Sequence, residues 1–300
     1  MELQQLRYVV ALARERNFRR AAESVHISQP TLSQQVQKLE RELRTRLFER
    51  SSRQVKLTSP GESFLTHARM VLDTLDKAVG EVKSRSKEVT GTLRIGAIPT
   101  IAPYLLPPVL LHLQKKAPDL KMEIHDVTTS QILTYLREAR FDIGVVSLPI
   151  HDRDFVTRSI GKEPFYLAVS RSSPLASKKS MKSQDVRSHP LLILQEGHCF
   201  RNQSLAYCRL SPIDSRVTFQ GSSLSSVLAM AGIGGGITFV PRMAVRHHAL
   251  KNIRFVKLTD PEPEREIGFI WRLTTPMTRA QEFFMETVEA AFHSFVPQPK

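Results

Sequence analysis

With only two cysteines among 300 residues, the chain has no thiol framework to staple a small scaffold, so its stability must come from buried apolar cores. Long apolar runs are missing too. The nearest, residues 227–241, is interrupted by Gly232, Gly234, Gly235 and Gly236, well short of the ~18 uncharged apolar residues of a spanning helix. Acidic groups are scarce: 29 Asp and Glu stand against 43 Lys and Arg, a net charge of +14. These shortages exclude a disulfide-knit module and a helical membrane protein, and no membrane partner is expected. The opening Met1-Glu2-Leu3-Gln4-Gln5-Leu6-Arg7 lacks the apolar segment of a secretory leader, which sets the expected location in the cytoplasm, where thiols stay reduced. What is present suits a folded protein. Its 41% hydrophobic and 24% charged residues exclude disorder, and the length allows two or three compact units.

The surplus charge is uneven. Residues 1–58 carry twelve basic groups against six Glu, a net +6, whereas the other 242 residues carry only +8. That density fits either a polyanion-binding module or a solvated basic face, and apolar spacing decides between them. Leu3, Leu6, Val9, Val10 and Ala13 form one helical stripe; Phe18, Ala21, Ala22 and Val25 form a second, opened by Asn17 as N-cap. After the turn His26-Ile27-Ser28 comes a third, Leu32, Val36, Leu39 and Leu43, with Ser28 as cap and Pro30 in its first turn. Two short helices joined by such a turn make a helix-turn-helix. With Leu32, Val36 and Leu39 inward, the outer face presents Gln29, Thr31, Ser33, Gln34, Gln37 and Lys38, side chains able to reach base edges and phosphates of double-stranded DNA. Leu47 to Arg50 and Gln54 to Leu57 read as a wing around Ser51-Ser52-Arg53, placing Arg50 and Arg53 against the DNA backbone. Residues 1–59 are therefore expected to be a winged helix-turn-helix domain.

One long helix is predicted over 59–89, opened by the capping box Ser59-Pro60-Gly61-Glu62. Leu65, Ala68, Leu72, Leu75, Val79 and Val82 repeat at intervals of 3 and 4, the seam of a coiled coil, so residues 60–90 are expected to link and dimerise the chain. Packing on the body of its own chain is the other way to bury that stripe. Beyond Gly91 the pattern changes. Strands over 92–97, 121–126 and 141–147 alternate with helices over 104–116 and 131–139, followed by strands over 165–170, 191–195, 236–240, 255–258 and 267–272 and a helix over 280–295. The alternation implies a mostly parallel sheet in a two-lobed α/β domain over 91–300, with ligands bound at the carboxyl ends of strands.

This order of parts resembles the LysR-type transcriptional regulators over the whole chain, most specifically in Phe18-Arg19-Arg20-Ala21-Ala22-Glu23, Ser28-Gln29-Pro30-Thr31-Leu32-Ser33 and Leu47-Phe48-Glu49-Arg50. The resemblance implies a regulatory domain like periplasmic binding proteins, with lobe I from 91–162 and 268–300 and lobe II from 163–267 inserted into it.

Both cysteines lie within Gly197-His198-Cys199-Phe200-Arg201-Asn202-Gln203-Ser204-Leu205-Ala206-Tyr207-Cys208. A thiol reacts as thiolate, and His198 and Arg201 can favour that form if they face Cys199. Peroxide converts a thiolate to sulfenic acid, which a second thiol condenses to a disulfide, so Cys199 reads as the reacting and Cys208 as the resolving residue. Two ordinary buried thiols remain open, as does a zinc site through His198, Cys199 and Cys208, although no fourth ligand has matching spacing. Gly-His-Cys followed by eight residues and a second Cys resembles the peroxide-sensing branch of the LysR-type family. The resemblance implies a pocket for hydrogen peroxide formed by Thr100, Thr129, His198 and Arg265 around the redox pair Cys199 and Cys208. Read locally, each threonine follows a predicted strand and could simply cap a helix. Two positions depart from the branch pattern: Asn202 where Asp is frequent, and Glu264 where a second basic residue is expected.

The expectation is a DNA-binding transcription activator that senses peroxide by Cys199-Cys208 oxidation, with no metal, no cofactor and no enzymatic role. Its expected partners are promoter DNA, hydrogen peroxide, further copies of the chain as homodimer and homotetramer, and RNA polymerase. Two other readings differ in kind: a regulator that binds a small metabolite between its lobes, and a thiol-dependent enzyme, which would leave the DNA-reading segment without a role.

Overall fold

The computed structural model describes residues 1–50, 55–83, 89–197, 199–208, 216–247 and 251–295. The chain divides into two compact units, Met1–Lys87 with Tyr135–Arg140, and Glu88–Thr134 with Phe141–Lys300.

The first unit holds α1 (Leu3–Glu15), α2 (Phe18–Ser24), α3 (Gln29–Glu42), β1 (Phe48–Arg50), β2 (Val55–Leu57) and α4 (Ser59–Lys83). The side chain of Asn17 caps α2 by accepting from the amides of Arg19 and Arg20 at 2.9 and 3.1 Å. Ser28 Oγ accepts from the Thr31 amide at 3.3 Å to cap α3, and Pro30 occupies its first turn. Val9, Leu12, Ala21, Leu32, Val36, Leu39, Leu47 and Phe48 form one core that the antiparallel pair β1–β2 closes.

Two apolar stripes sit differently from their expected faces. In α1 the buried set is Leu6, Tyr8, Val9, Ala11 and Leu12, while Leu3 is exposed and Val10 and Ala13 are half-buried. The reason is that α2, α3 and α4 all pack on α1, which rotates and widens its buried arc. Leu43 is exposed because it caps α3 instead of continuing it.

The seam of α4 is likewise divided. Leu65 and Ala68 are buried within their own unit, Leu72 and Leu75 are half-buried, and Val71 and Val79 are 47% and 45% exposed. The first turns of α4 thus pack on α1 and the wing, and only the stripe from Val71 onward is open to a partner. Val82 lies in the last described turn; of the rest of the helix expected over 59–89, residues 84–88 lie outside the described residues and Val89 is not helical.

In the second unit the elements are β3 (Gly91–Ala97), α5 (Ala102–Lys116), β4 (Leu120–Asp126), α6 (Thr129–Arg137), β5 (Ile143–Leu148) and β6 (Phe155–Ser170). There follow β7 (Ser180–Lys182), α7 (Ser183–Val186), β8 (Leu191–Leu194), α8 (Cys199–Cys208), β9 (Val217–Gly221) and α9 (Leu224–Gly232). Then come β10 (Thr238–Pro241), α10 (Arg242–His247), β11 (Ile253–Thr259), β12 (Glu264–Arg272) and α11 (Arg279–Phe295). One sheet runs β4-β3-β5-β12-β6-β11-β7, with β10 also paired to β6, and β8–β9 form a second parallel pair.

The expected mostly parallel sheet is in fact mixed. Only β4-β3-β5, β7–β11 and β8–β9 run parallel, whereas β12 with β5 and β6, and β6 with β10 and β11, are antiparallel. The cause is the way the chain passes between lobes. The 16-residue β6 pairs with β12 as far as Pro164 and with β10 and β11 from Phe165 onward, so one strand serves both halves of the sheet. Phe165, Leu167, Val169, Leu192, Phe200, Leu205, Val227 and Phe239 share the core of the second half.

Gly61 permits the close approach of α4 to the wing. A Cβ there would stand 2.0 Å from the Leu47 carbonyl oxygen, which is backbone and cannot swing aside. Gly61→Ala should therefore destabilise the first unit by about 1–3 kcal/mol, measured as a lowered melting transition of that unit.

Candidate functional site

In the first unit, α3 offers Gln29, Thr31, Gln34, Gln37 and Lys38 to solvent, with Ser33 half-buried. Thr31 is not wholly free, because its hydroxyl lies 2.7 Å from Ser28 Oγ. Lys38 Nζ meets Glu2 Oε1 at 3.3 Å, an exposed pair that DNA phosphate can compete for. Arg50 ends β1, and Arg53 lies outside the described residues. The structure adds three cations that spacing did not single out. Arg41, Arg44 and Arg46 are exposed and line an open cleft with Gln37, Glu40, Thr45 and Phe48. Their density in Arg41-Glu42-Leu43-Arg44-Thr45-Arg46 was the available signal.

In the second unit, Cys199 opens α8 just past Gly197, whose φ of +92° turns the chain from β8 into the helix, a conformation that suits glycine. The Cys199 thiol is free and half-buried. It borders a narrow recess, too tight to admit a water-sized sphere, lined by Ile98, Pro99, Thr100, Thr128, Thr129, Gly197 and Phe200. Cys208 ends the same helix, nine residues on. At the α-helical rise that separation is about 13.5 Å along the axis, with the two positions half a turn apart. His198 lies outside the described residues.

Neither threonine acts as a cap. Thr128 caps α6 instead: its Oγ1 accepts from the Gln131 amide at 3.4 Å, and its own amide donates to Gln131 Oε1 at 3.0 Å. Thr129 Oγ1 is consequently left buried with no hydrogen-bond partner among the described residues. Thr100 is 2% exposed, and its Oγ1 accepts from Arg265 Nη1 at 2.7 Å. Arg265 in turn pairs with Glu163, a buried residue that sequence reading passed over, and its guanidinium carbon stands 5.5 Å from the centre of the Phe200 ring. Tyr104, one turn beyond Thr100, is held neutral: burial pushes its phenol up to about 12, the Arg265 cation opposes this, and Asp126 and Glu163 add to it.

Further contacts pin α8. Gln203 Nε2 donates to Ser147 Oγ at 2.7 Å, and the Ser147 hydroxyl donates to the Glu266 carbonyl at 3.2 Å. Tyr207 donates to the Pro261 carbonyl at 2.7 Å. Arg201 is buried with its Nε unpartnered among the described residues, and its Nη1 lies 4.0 Å from the exposed Glu196 carboxylate. Of the two departures from the family pattern, Asn202 is exposed, and Glu264 accepts from Lys162 at the surface. No helix among the described residues is long and apolar enough to cross a membrane, and no cluster of His, Cys, Asp and Glu among them could hold a metal ion.

Residues 3–62 match the model of the bacterial regulatory helix-turn-helix protein, lysR family, and residues 86–293 match that of the LysR substrate binding domain. The chain is 36% identical over 292 residues to the DNA-binding transcriptional dual regulator OxyR of Escherichia coli (strain K12), covering 97% of this chain and 95% of that protein. It is 35% identical over 298 residues to the hydrogen peroxide-inducible genes activator of Pectobacterium carotovorum subsp. carotovorum, covering 99% and 98%. A solved structure of full-length OxyR from Pseudomonas aeruginosa, carrying a cysteine-to-aspartate substitution, superposes with a TM-score of 0.81 at 32% identity over 100% of this chain and 99% of that one. Winged reader, linker helix, two-lobed sheet and both family models agree along one chain, which therefore belongs to the LysR family of regulatory proteins.

Proposed function

We propose that the chain is a cytoplasmic, sequence-specific DNA-binding transcription regulator that senses hydrogen peroxide by reversible oxidation of Cys199 and Cys208. The observation that carries this reading is the setting of Cys199: a free thiol borders a narrow recess that Thr100 and Thr129 also line, the Thr129 hydroxyl buried without a partner among the described residues. Sites for metabolites enclose roughly 300–1,000 Å³. A recess too tight for a water-sized sphere falls far below that and offers no room for a metabolite beside Cys199. A thiol enzyme, the third reading, would leave the exposed face of α3 unexplained.

The chemistry balances with peroxide as oxidant. Cys199 thiolate attacks one peroxide oxygen; the S–O bond forms, the O–O bond breaks, and hydroxide leaves to become water on protonation. Sulfur loses two electrons and peroxide gains them. The Cys208 thiol then attacks the sulfenic sulfur, releasing a second water and leaving a disulfide. That bond needs Cα atoms roughly 4.4–6.8 Å apart, so α8 must be unmade before it closes. Phe200 and Leu205 leave the core, and the bonds of Gln203 to Ser147 and of Tyr207 to Pro261 break. A changed surface on lobe II would bias the assembly of subunits and so the DNA-binding units. Residues 1–59 read DNA, 60–90 link and dimerise, and 91–300 sense, with lobe II spanning 163–267. The regulator works as a homodimer that pairs into a homotetramer and contacts RNA polymerase at the promoter.

Peptide mapping after brief peroxide exposure should yield one Cys199–Cys208 crosslink together with an altered promoter footprint. Cys199→Ser should lose both, while Cys208→Ser should trap a sulfenic acid at Cys199. Thiols that stay free, with a footprint blind to peroxide, would return the metabolite reading.

On the DNA side, Gln34→Ala should cost about 1–3 kcal/mol on the operator and little on random DNA, because Gln34 stands on the exposed face of α3. Arg53→Ala should weaken both and flatten the salt dependence. Equal losses on the two DNAs for Gln34→Ala would refute base reading.

Assembly follows from the open half of α4. Leu72→Glu places a charge in the half-buried stripe, so sedimentation should show smaller species than wild type. An unchanged mass would mean that the regulatory units hold the oligomer together.

A further inference from the structure

Where β6 and β12 lie side by side, Glu163 stands directly opposite Arg265, and both side chains are wholly buried. Glu163 Oε2 accepts from Arg265 Nε at 2.9 Å and lies 2.8 Å from Nη2, while Oε1 accepts from the Met243 amide at 2.6 Å. The far edge of the guanidinium reaches Thr100: Nη1 donates to Oγ1 at 2.7 Å and Nη2 to the carbonyl oxygen at 2.9 Å. Held at both ends, the planar fork has no room to turn. A threonine hydroxyl has one proton and two lone pairs. With a lone pair taken by Arg265, the Thr100 proton is the group left to donate, and Thr100 lines the cavity of Cys199.

Resting on the reading of Cys199 as a peroxide-reactive thiol, we propose that Glu163 is a positioning residue for that reaction, acting through Arg265 to fix Thr100 as hydrogen-bond donor to the departing peroxide oxygen. Negative charge collects on that oxygen as the S–O bond forms and the O–O bond breaks, and it leaves as hydroxide. A hydroxyl polarised by a cationic donor stabilises the charge better than a free one. Glu163 contributes twice: it sets the guanidinium plane, and it neutralises the buried cation so that both remaining N–H edges serve Thr100.

The test uses full-length reduced protein in a Cys208→Ser background, where Cys199 alone reacts. Stopped-flow oxidation by hydrogen peroxide is compared with alkylation by iodoacetamide, whose iodide leaves without a hydrogen-bond donor. The peroxide-to-iodoacetamide rate ratio should fall by about tenfold or more in Thr100→Val and in Glu163→Gln. Adding Glu163→Gln to Thr100→Val should lower it by no more than about twofold, because both changes act on one hydroxyl. Glu163→Asp, which keeps the charge, should recover most of the ratio. Equal slowing of both reagents by Glu163→Gln, or a loss that multiplies with that of Thr100→Val, overturns the proposal. Should Glu163→Gln fail to fold, Glu163→Gln with Arg265→Met removes the cation together with its partner; the same loss of ratio is expected, and a wild-type ratio overturns the proposal. If Cys199 with no other substitution oxidises no faster than free cysteine, the sensing assignment itself fails and takes this inference with it.

Discussion

Two neighbouring antiparallel strands carry the chain between the halves of the regulatory unit, and one buried ion pair joins them at the crossing. The pairing of β6 with β12 puts Glu163 against Arg265. A buried ion pair alone contributes little net stability, since desolvation consumes most of the attraction, yet removing one partner costs about 3–5 kcal/mol. Its value here is specificity. The pair reaches the loop before α5 through Thr100 and the start of α10 through Met243, so four segments distant in sequence are referred to one point. The Cys199 cavity is built beside that point, which makes its dimensions a property of the strand register.

The first unit obeys a different constraint, shortage of material. Among the described residues one small buried cluster serves four helices and a wing, and α4 must lend its first turns to complete it. That loan is why Leu65 and Ala68 cannot serve a partner helix, and why the open stripe begins near Val71. Small DNA-reading domains have little core of their own. The linker helix thus completes the domain, and the glycine at position 61 allows the two to meet.

Local signals were the legible ones. Asn17 and Ser28 as caps, Leu32, Val36 and Leu39 as an inward face, and the strands around residues 95, 145 and 270 all follow from nearest-neighbour chemistry, which sequence displays directly. Three things were not displayed. The antiparallel crossing is invisible because β6 is polar and irregular over 155–164, its character set by which strand lies alongside. Helix α8 has no one-faced apolar repeat to announce it: Phe200 and Leu205 enter the core while Arg201 and Ser204 are also buried. Nothing local marks Glu163, ahead of Pro164, as buried, and only the fold brings its partner, 102 residues away, opposite to it. Arg265, by contrast, was found through family resemblance, as was the part assigned to Thr100 and Thr129.

On the proposed reading, the helical state of α8 also sets how readily the sensor resets. Burying a side chain such as Phe200 or Leu205 is worth about 1.5–3 kcal/mol, so ejecting both on oxidation costs roughly 3–6 kcal/mol, less whatever is recovered by repacking. For a two-electron couple about 30 mV corresponds to 1.4 kcal/mol, and the cost therefore raises the reduction potential of the disulfide by up to roughly 65–130 mV over an unopposed one. A structural disulfide is selected for the opposite property. Here the core residues that keep the two thiols apart before oxidation also favour reduction afterwards, so the packing that delays the signal is what ends it. Enlarging the buried set of α8 would make the sensor harder to trip and quicker to clear, and trimming it would do the reverse.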